Sequence, residues 1–190
     1  MAIKASGVPG AFFLALHTLL IRIKAMEKKE LYSDLLLSLK SLIEEAPNEI
    51  SVFSNASALL FMSLDDLNWA GFYFLDEKAE ELFLGPFQGK VACQTIMVGR
   101  GVCGTSVKEE RTLRVDDVHK FKGHIACDAA SRSEIVIPIR KNGRIIGVLD
   151  IDSPILNRFD EEDQEGLESF VKEIEKRLTL PFTCKSALFD

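Results

Sequence analysis

Cysteine is scarce in this 190-residue chain: the four present are Cys93, Cys103, Cys127 and Cys184. They are too few and too widely spread for a disulfide scaffold, and none forms a Cys-x-x-Cys element. No apolar run is long enough to span a bilayer comfortably. The best, residues 11–21, is broken by His17 and Thr18. Arg22 and Lys24 follow that run rather than precede it, and no clean cleavage site comes after, so it does not read as a signal peptide. A Lys/Arg stripe is also missing. With a net charge of −6, the chain is a poor match for a nucleic-acid backbone. Gly99-Arg100-Gly101 is a turn, without the spacing of a phosphate-binding loop. There are no internal repeats and no low-complexity stretches.

What remains is the composition of one globular domain, 47% hydrophobic and 27% charged, long enough to bury a substantial core. Residues 1–25 carry three basic residues and no acid, so the remainder carries −9. They read as an artefactual upstream extension ahead of a conventional start at Met26, or else as a weak anchor or targeting segment. The expected organisation is an extension over 1–25, a domain over 26–180 and a tail over 181–190. The thiols read as reduced and the location as cytoplasmic, with no stable membrane contact.

Apolar spacing predicts helices over 31–43, over 52–64 with Ser51 as cap, and over 161–178 with Asp160 as cap. Strands are expected over 69–75, 81–84, 94–98, 112–115, 134–140 and 144–152. Asn142-Gly143 marks a tight hairpin between the last two. A loop entering a helix is expected over 99–110, and residues 116–132 form a long loop of functional type. The order of elements argues for an α+β fold on one mixed or antiparallel sheet.

Strand alternation divides the residues between faces. Trp69 and Tyr73 share one face, as do Asp150 and Asp152, and Glu134 goes with Val136 and Pro138. The aliphatic neighbours point the other way and pack against helices. If these strands share a sheet, three carboxylates and two aromatics line one pocket. Buried carboxylates need compensation, either from a bound ammonium group or from a retained proton. The plainer alternative is that Asp150 and Asp152 merely end a strand. Cys127 lies among small residues in the long loop, where backbone N–H groups can lower a thiol pKa; a structural cysteine is the alternative. Zinc held by Cys93, Cys103, Cys127, His119 and His124 is a weak option, given that spacing. Cys184 reads as incidental.

Several segments together resemble one family. They are Asn68-Trp69-Ala70-Gly71-Phe72-Tyr73, residues 84–93, Gly99-Arg100-Gly101-Val102-Cys103-Gly104, Asp117-Val118-His119, Gly123-His124-Ile125-Ala126-Cys127-Asp128, Ser133-Glu134-Ile135-Val136 and residues 147–153. In order and spacing they closely resemble the free methionine-R-sulfoxide reductases over roughly residues 27–178. The resemblance implies a single GAF domain, an antiparallel sheet sandwiched by helices. It implies reduction of free methionine-(R)-sulfoxide, with Cys127 as the attacking sulfur and Cys93 and Cys103 as its recycling pair. Cys93 is the favoured resolving thiol, with Cys103 shuttling or substituting. Trp69 and Tyr73 would pack the methyl-thioether end and Asp150 would hold the ammonium. Glu134 or Asp152 would supply a proton. It further implies recycling by thioredoxin, a homodimer, and neither cofactor nor metal. A non-catalytic GAF sensor of small ligands is the rival reading.

Overall fold

The computed structural model describes residues 10–123 and 128–178, with side chains from residue 27 onward. Cys127, Cys184 and His124 therefore lie outside the described residues. Six strands make one sheet: β1 Trp69–Asp76, β2 Glu81–Gly89, β3 Thr95–Met97, β4 Leu113–Val115, β5 Ser133–Lys141 and β6 Arg144–Ser153. Their spatial order is β3-β2-β1-β6-β5-β4, with every neighbouring pair antiparallel. Two hairpins, β1–β2 and β5–β6, are thus joined side by side along β1 and β6. The second closes through Asn142 and Gly143 at φ 52° and 79°, the left-handed pair that a two-residue hairpin turn demands.

The helices are α1 Gly10–Glu44, α2 Glu49–Ser63, α3 Gly101–Glu109 and α4 Glu161–Glu175. Among the described residues no helix is long and apolar enough to cross a membrane. Helix α1 starts far earlier than residue 31, because no Pro or Gly between residues 11 and 30 stops it. It is tied to α4 by Tyr32, whose hydroxyl donates to Asp163 Oδ1 at 2.8 Å, and by Lys28, which meets Asp163 Oδ2 at 2.7 Å. The cap of α2 is Asn48 rather than Ser51: Asn48 Oδ1 accepts the Ser51 N–H at 2.9 Å. Asp160 caps α4 as expected, in a reciprocal box with Asp163. Strand β2 runs on to Gly89 although Gly85-Pro86 reads as a break. A register shift opposite Gly71 and Tyr73 takes up the proline, which has no N–H for the ladder.

The sheet separates two clusters. One face sends Ala70, Phe72, Phe74, Ile135, Ile137, Ile139, Leu149 and Ile151 against α1, α2 and α4. Phe53 of α2 meets Phe72 edge-on at 4.8 Å, an arrangement favoured by the ring quadrupoles. The other face carries Trp69, Tyr73, Val136 and Val148, covered by Val102, Cys103 and Val107 of α3 and by the following loops. The alternation read from sequence therefore holds, and the polar residues fall on this second, thinly covered side.

Candidate active site

Register brings the acids together. Trp69 pairs with Asp152, and Gly71 with Asp150, across β1–β6. Glu134 pairs with Asp152, and Val136 with Asp150, across β5–β6. Trp69, Asp152 and Glu134 therefore form one rung over three strands, with Asp150 one rung along. Tyr73 lies two rungs from Trp69, and its ring stacks on the indole with centroids 5.8 Å apart. Gly71 between them leaves room for the indole; a Cβ there would come within 2.7 Å of Trp69 Cη2.

These residues line a partly open cleft on the second face of the sheet. Trp69, Tyr73, Cys103, Glu134, Asp150 and Asp152 all contribute. Val102 and Gly101 close one wall at the N-terminus of α3, which has no side-chain cap. Val91 and Ala92 form part of the rim, next in sequence to Cys93.

The electrostatics follow from packing acids out of water. Burial, then the neighbouring Asp150 and Asp152 charges, holds Glu134 well above the usual carboxylate range. Burial followed by the Asp150 charge does the same to Asp152. Asp150 is pushed up to about 6 by burial, offset by hydrogen bonds from Cys103 and Glu134. The Cys103 thiol, 3% exposed, is raised by burial and then by the Asp150 and Glu134 charges, so it stays protonated. Its Sγ lies 4.0 Å from Glu134 Oε1. Three buried polar atoms have no hydrogen-bond partner among the described residues: the acceptors Asp150 Oδ1 and Asn68 Oδ1 and the donor Trp69 Nε1. Such atoms are costly to bury, and those of Asp150 and Trp69, which line the cleft, are open to a ligand's polar groups.

The thiols differ sharply. Cys93 is disulfide-bonded and half-buried, and its carbonyl accepts the Tyr73 hydroxyl at 3.0 Å. Cys103 is a free thiol. A metal site assembled from cysteines and histidines does not arise among the described residues. The group whose atoms lie within 4.8 Å of one another is Cys103, Glu134 and Asp150. Sequence reading missed Gly71 and also Asn68, Asp128 and Ser131, of which the last two line the cleft. Of these, the Gly71, Asn68 and Asp128 positions carried a signal, as members of the quoted segments.

Residues 50–176 match the model of the GAF domain. Protein YtsP of Bacillus subtilis (strain 168) is 53% identical over 152 residues, covering 80% of this chain and 93% of that protein. The free methionine-R-sulfoxide reductase of Escherichia coli (strain K12) is 52% identical over 153 residues, covering 80% and 92%. Among solved structures, fRMsr of Staphylococcus aureus in complex with substrate superposes with a TM-score of 0.73 at 57% identity, covering 78% of this chain and 95% of that one. Identity at this level across nearly the whole length of each relative makes the chain a member of the free methionine-R-sulfoxide reductase family, built on a GAF domain.

Proposed function

We propose that the chain reduces free L-methionine-(R)-sulfoxide to L-methionine, with Cys127 as nucleophile. The observation that carries this reading is the gathering of buried Glu134 and Asp150 and half-buried Asp152 beside Trp69 in one cleft. Asp150, the least raised of the acids, is the one ionised at neutral pH, and its unpartnered Oδ1 suits the substrate ammonium. Trp69 Nε1 offers a donor to a substrate oxygen, and the uncapped α3 terminus favours the carboxylate end. Trp69 and Tyr73 enclose the thioether end.

The Cys127 thiolate attacks the sulfoxide sulfur. A protonated acid, Glu134 or Asp152, supplies a proton to the oxygen, which burial keeps available at neutral pH. The sulfoxide is reduced to a thioether and Cys127 is oxidised by two electrons to a sulfenic acid. Condensation with a second thiol then releases water and forms a disulfide. Cys93 suits that role because it is already disulfide-bonded, whereas Cys103 is a buried, protonated thiol and a poor nucleophile. In this reading Cys103 stays reduced and floors the cleft. A thioredoxin-type dithiol reopens the disulfide by exchange. The functional unit is residues 26–180, because Lys28 and Tyr32 are already bonded into α4.

The rival sensor reading leaves the disulfide-bonded Cys93 and the proton-holding acids without a task. The test is turnover of four substrates with a thioredoxin system: R and S sulfoxides, each free and N-acetylated. Turnover of the free R isomer alone is expected. Tight binding without turnover would favour the sensor, and turnover of the acetylated R isomer would contradict ammonium recognition.

A further inference from the structure

Asp128 follows Cys127 directly in sequence, and its carboxylate is held from three directions. Asn68 Nδ2 donates to Oδ2 at 3.0 Å, the Ala130 backbone N–H donates to Oδ1 at 2.9 Å, and Lys90 Nζ lies 3.1 Å from Oδ2. These partners hold Asp128 below the usual carboxylate range, the Ala130 N–H first and Asn68 next, so it is a fixed anion. Asn68 Nδ2 also donates to Ser131 Oγ at 2.9 Å, while its backbone N–H donates to the Asp152 carbonyl at 3.0 Å. One amide thus ties the chain after Cys127 to the strand that carries the pocket acids. Both Nδ2 hydrogens are committed, and Asn68 Oδ1 is buried without a partner among the described residues. Lys90, three residues before Cys93, is 67% exposed, so its ion pair adds little to stability.

We propose that Asn68, Asp128 and Lys90 form a positioning clasp that fixes the chain directly after Cys127 for its attack. Asn68 holds Asp128 from the β6 side, and Lys90, three residues before Cys93, holds it from the other. The clasp rests on Cys127 being the attacking thiol, and its members act through the chain that carries that residue. Placement matters because an error of about 1 Å in a reacting group can cost on the order of 100-fold in rate.

The test compares reduced wild type, Asp128→Ala and Asp128→Asn in single turnover with free methionine-(R)-sulfoxide. Substrate affinity and the rate of iodoacetamide alkylation at Cys127 are measured in parallel, the latter against pH. Asp128→Ala is expected to slow the single turnover roughly 10- to 100-fold while affinity stays within about twofold. Asp128→Asn, which keeps an acceptor, recovers part of the rate. Removing an anion beside a thiol favours the thiolate, so alkylation should be no slower than in wild type. That opposition of sign separates misplacement from loss of the thiolate. An unchanged single-turnover rate overturns the clasp; so does a loss matched by slower alkylation or explained by affinity alone. If Asp128→Ala does not fold, Lys90→Met is used, with a several-fold slower turnover expected and an unchanged one contradicting. Cys127→Ser run alongside keeps the two ideas apart: full turnover there sinks the nucleophile assignment whatever the clasp variants do.

Discussion

Asp152 stands directly opposite Glu134 across the β5–β6 ladder, so two carboxyls share one rung of the sheet with the indole of Trp69 on the other side. Like charges at that spacing and burial cannot both ionise cheaply, and the cleft acids hold their protons to higher pH than free carboxyls. The first two predictions come from this relationship.

An ammonium entering the cleft favours the ionised acids, so substrate binding should release protons. Affinity should then rise as pH climbs through the raised values, including that of Asp150 at about 6. Calorimetry of methionine-(R)-sulfoxide binding to Cys127→Ser, in buffers of differing ionisation enthalpy, measures this release. Proton uptake on binding would contradict the assignment.

Asp150 also leaves a mark on stability. Its proton is held more tightly in the folded than in the unfolded chain, so its favourable contribution is complete below the ordinary carboxylate range. That contribution is lost as pH rises through about 6. Relative to wild type, Asp150→Asn should therefore gain roughly 2–3 kcal/mol between pH 4 and pH 7.5. Urea unfolding of both proteins across that range decides it; a gap that narrows with rising pH would show the sign to be wrong.

Gly71 gives a steric prediction. A methyl group at this position meets Trp69 Cη2 at 2.7 Å and the Phe87 Cα at 2.8 Å. Gly71→Ala should push the indole into the cleft and weaken substrate binding about tenfold, the effect of roughly 1.4 kcal/mol of overpacking. Steady-state kinetics should show the loss chiefly in KM.

Away from the cleft, Asp163 is 1% exposed and accepts from Tyr32 and Lys28 while closing the α4 capping box. Asp163→Ala leaves the Tyr32 hydroxyl buried without its acceptor and frees the end of α4. A loss of about 3 kcal/mol is expected from breaking such a buried, charge-paired group. The urea midpoint reads it, and single-turnover chemistry at low temperature should survive.

Much of the cleft was legible because strand alternation has a period of two: Trp69, Tyr73, Glu134, Asp150 and Asp152 could be put on common faces without knowing the sheet. Alternation does not say which strands are neighbours. The β1–β6 pairing, which places Trp69 beside Asp152, is non-local and had to come from the structure. Asn68, Ser131 and Gly71 had no assigned role for the same reason: an amide, a hydroxyl and a missing side chain gain meaning only from what stands across from them. Helix α1 and strand β2 extend beyond the expected ranges: the early turns of the one lack the apolar stripe of 31–43, and the ladder of the other continues past Gly85-Pro86 through a register shift.

The central claim is that one sulfur, Cys127, attacks and one, Cys93, resolves. The most direct measurement is a single turnover of fully reduced protein with one equivalent of free methionine-(R)-sulfoxide, quenched with an alkylating reagent and mapped by peptide mass spectrometry. The account predicts one methionine per chain, a Cys93–Cys127 disulfide, and Cys103 recovered as the alkylated thiol. Methionine formed while Cys127 remains a thiol, or a disulfide that includes Cys103, would contradict it.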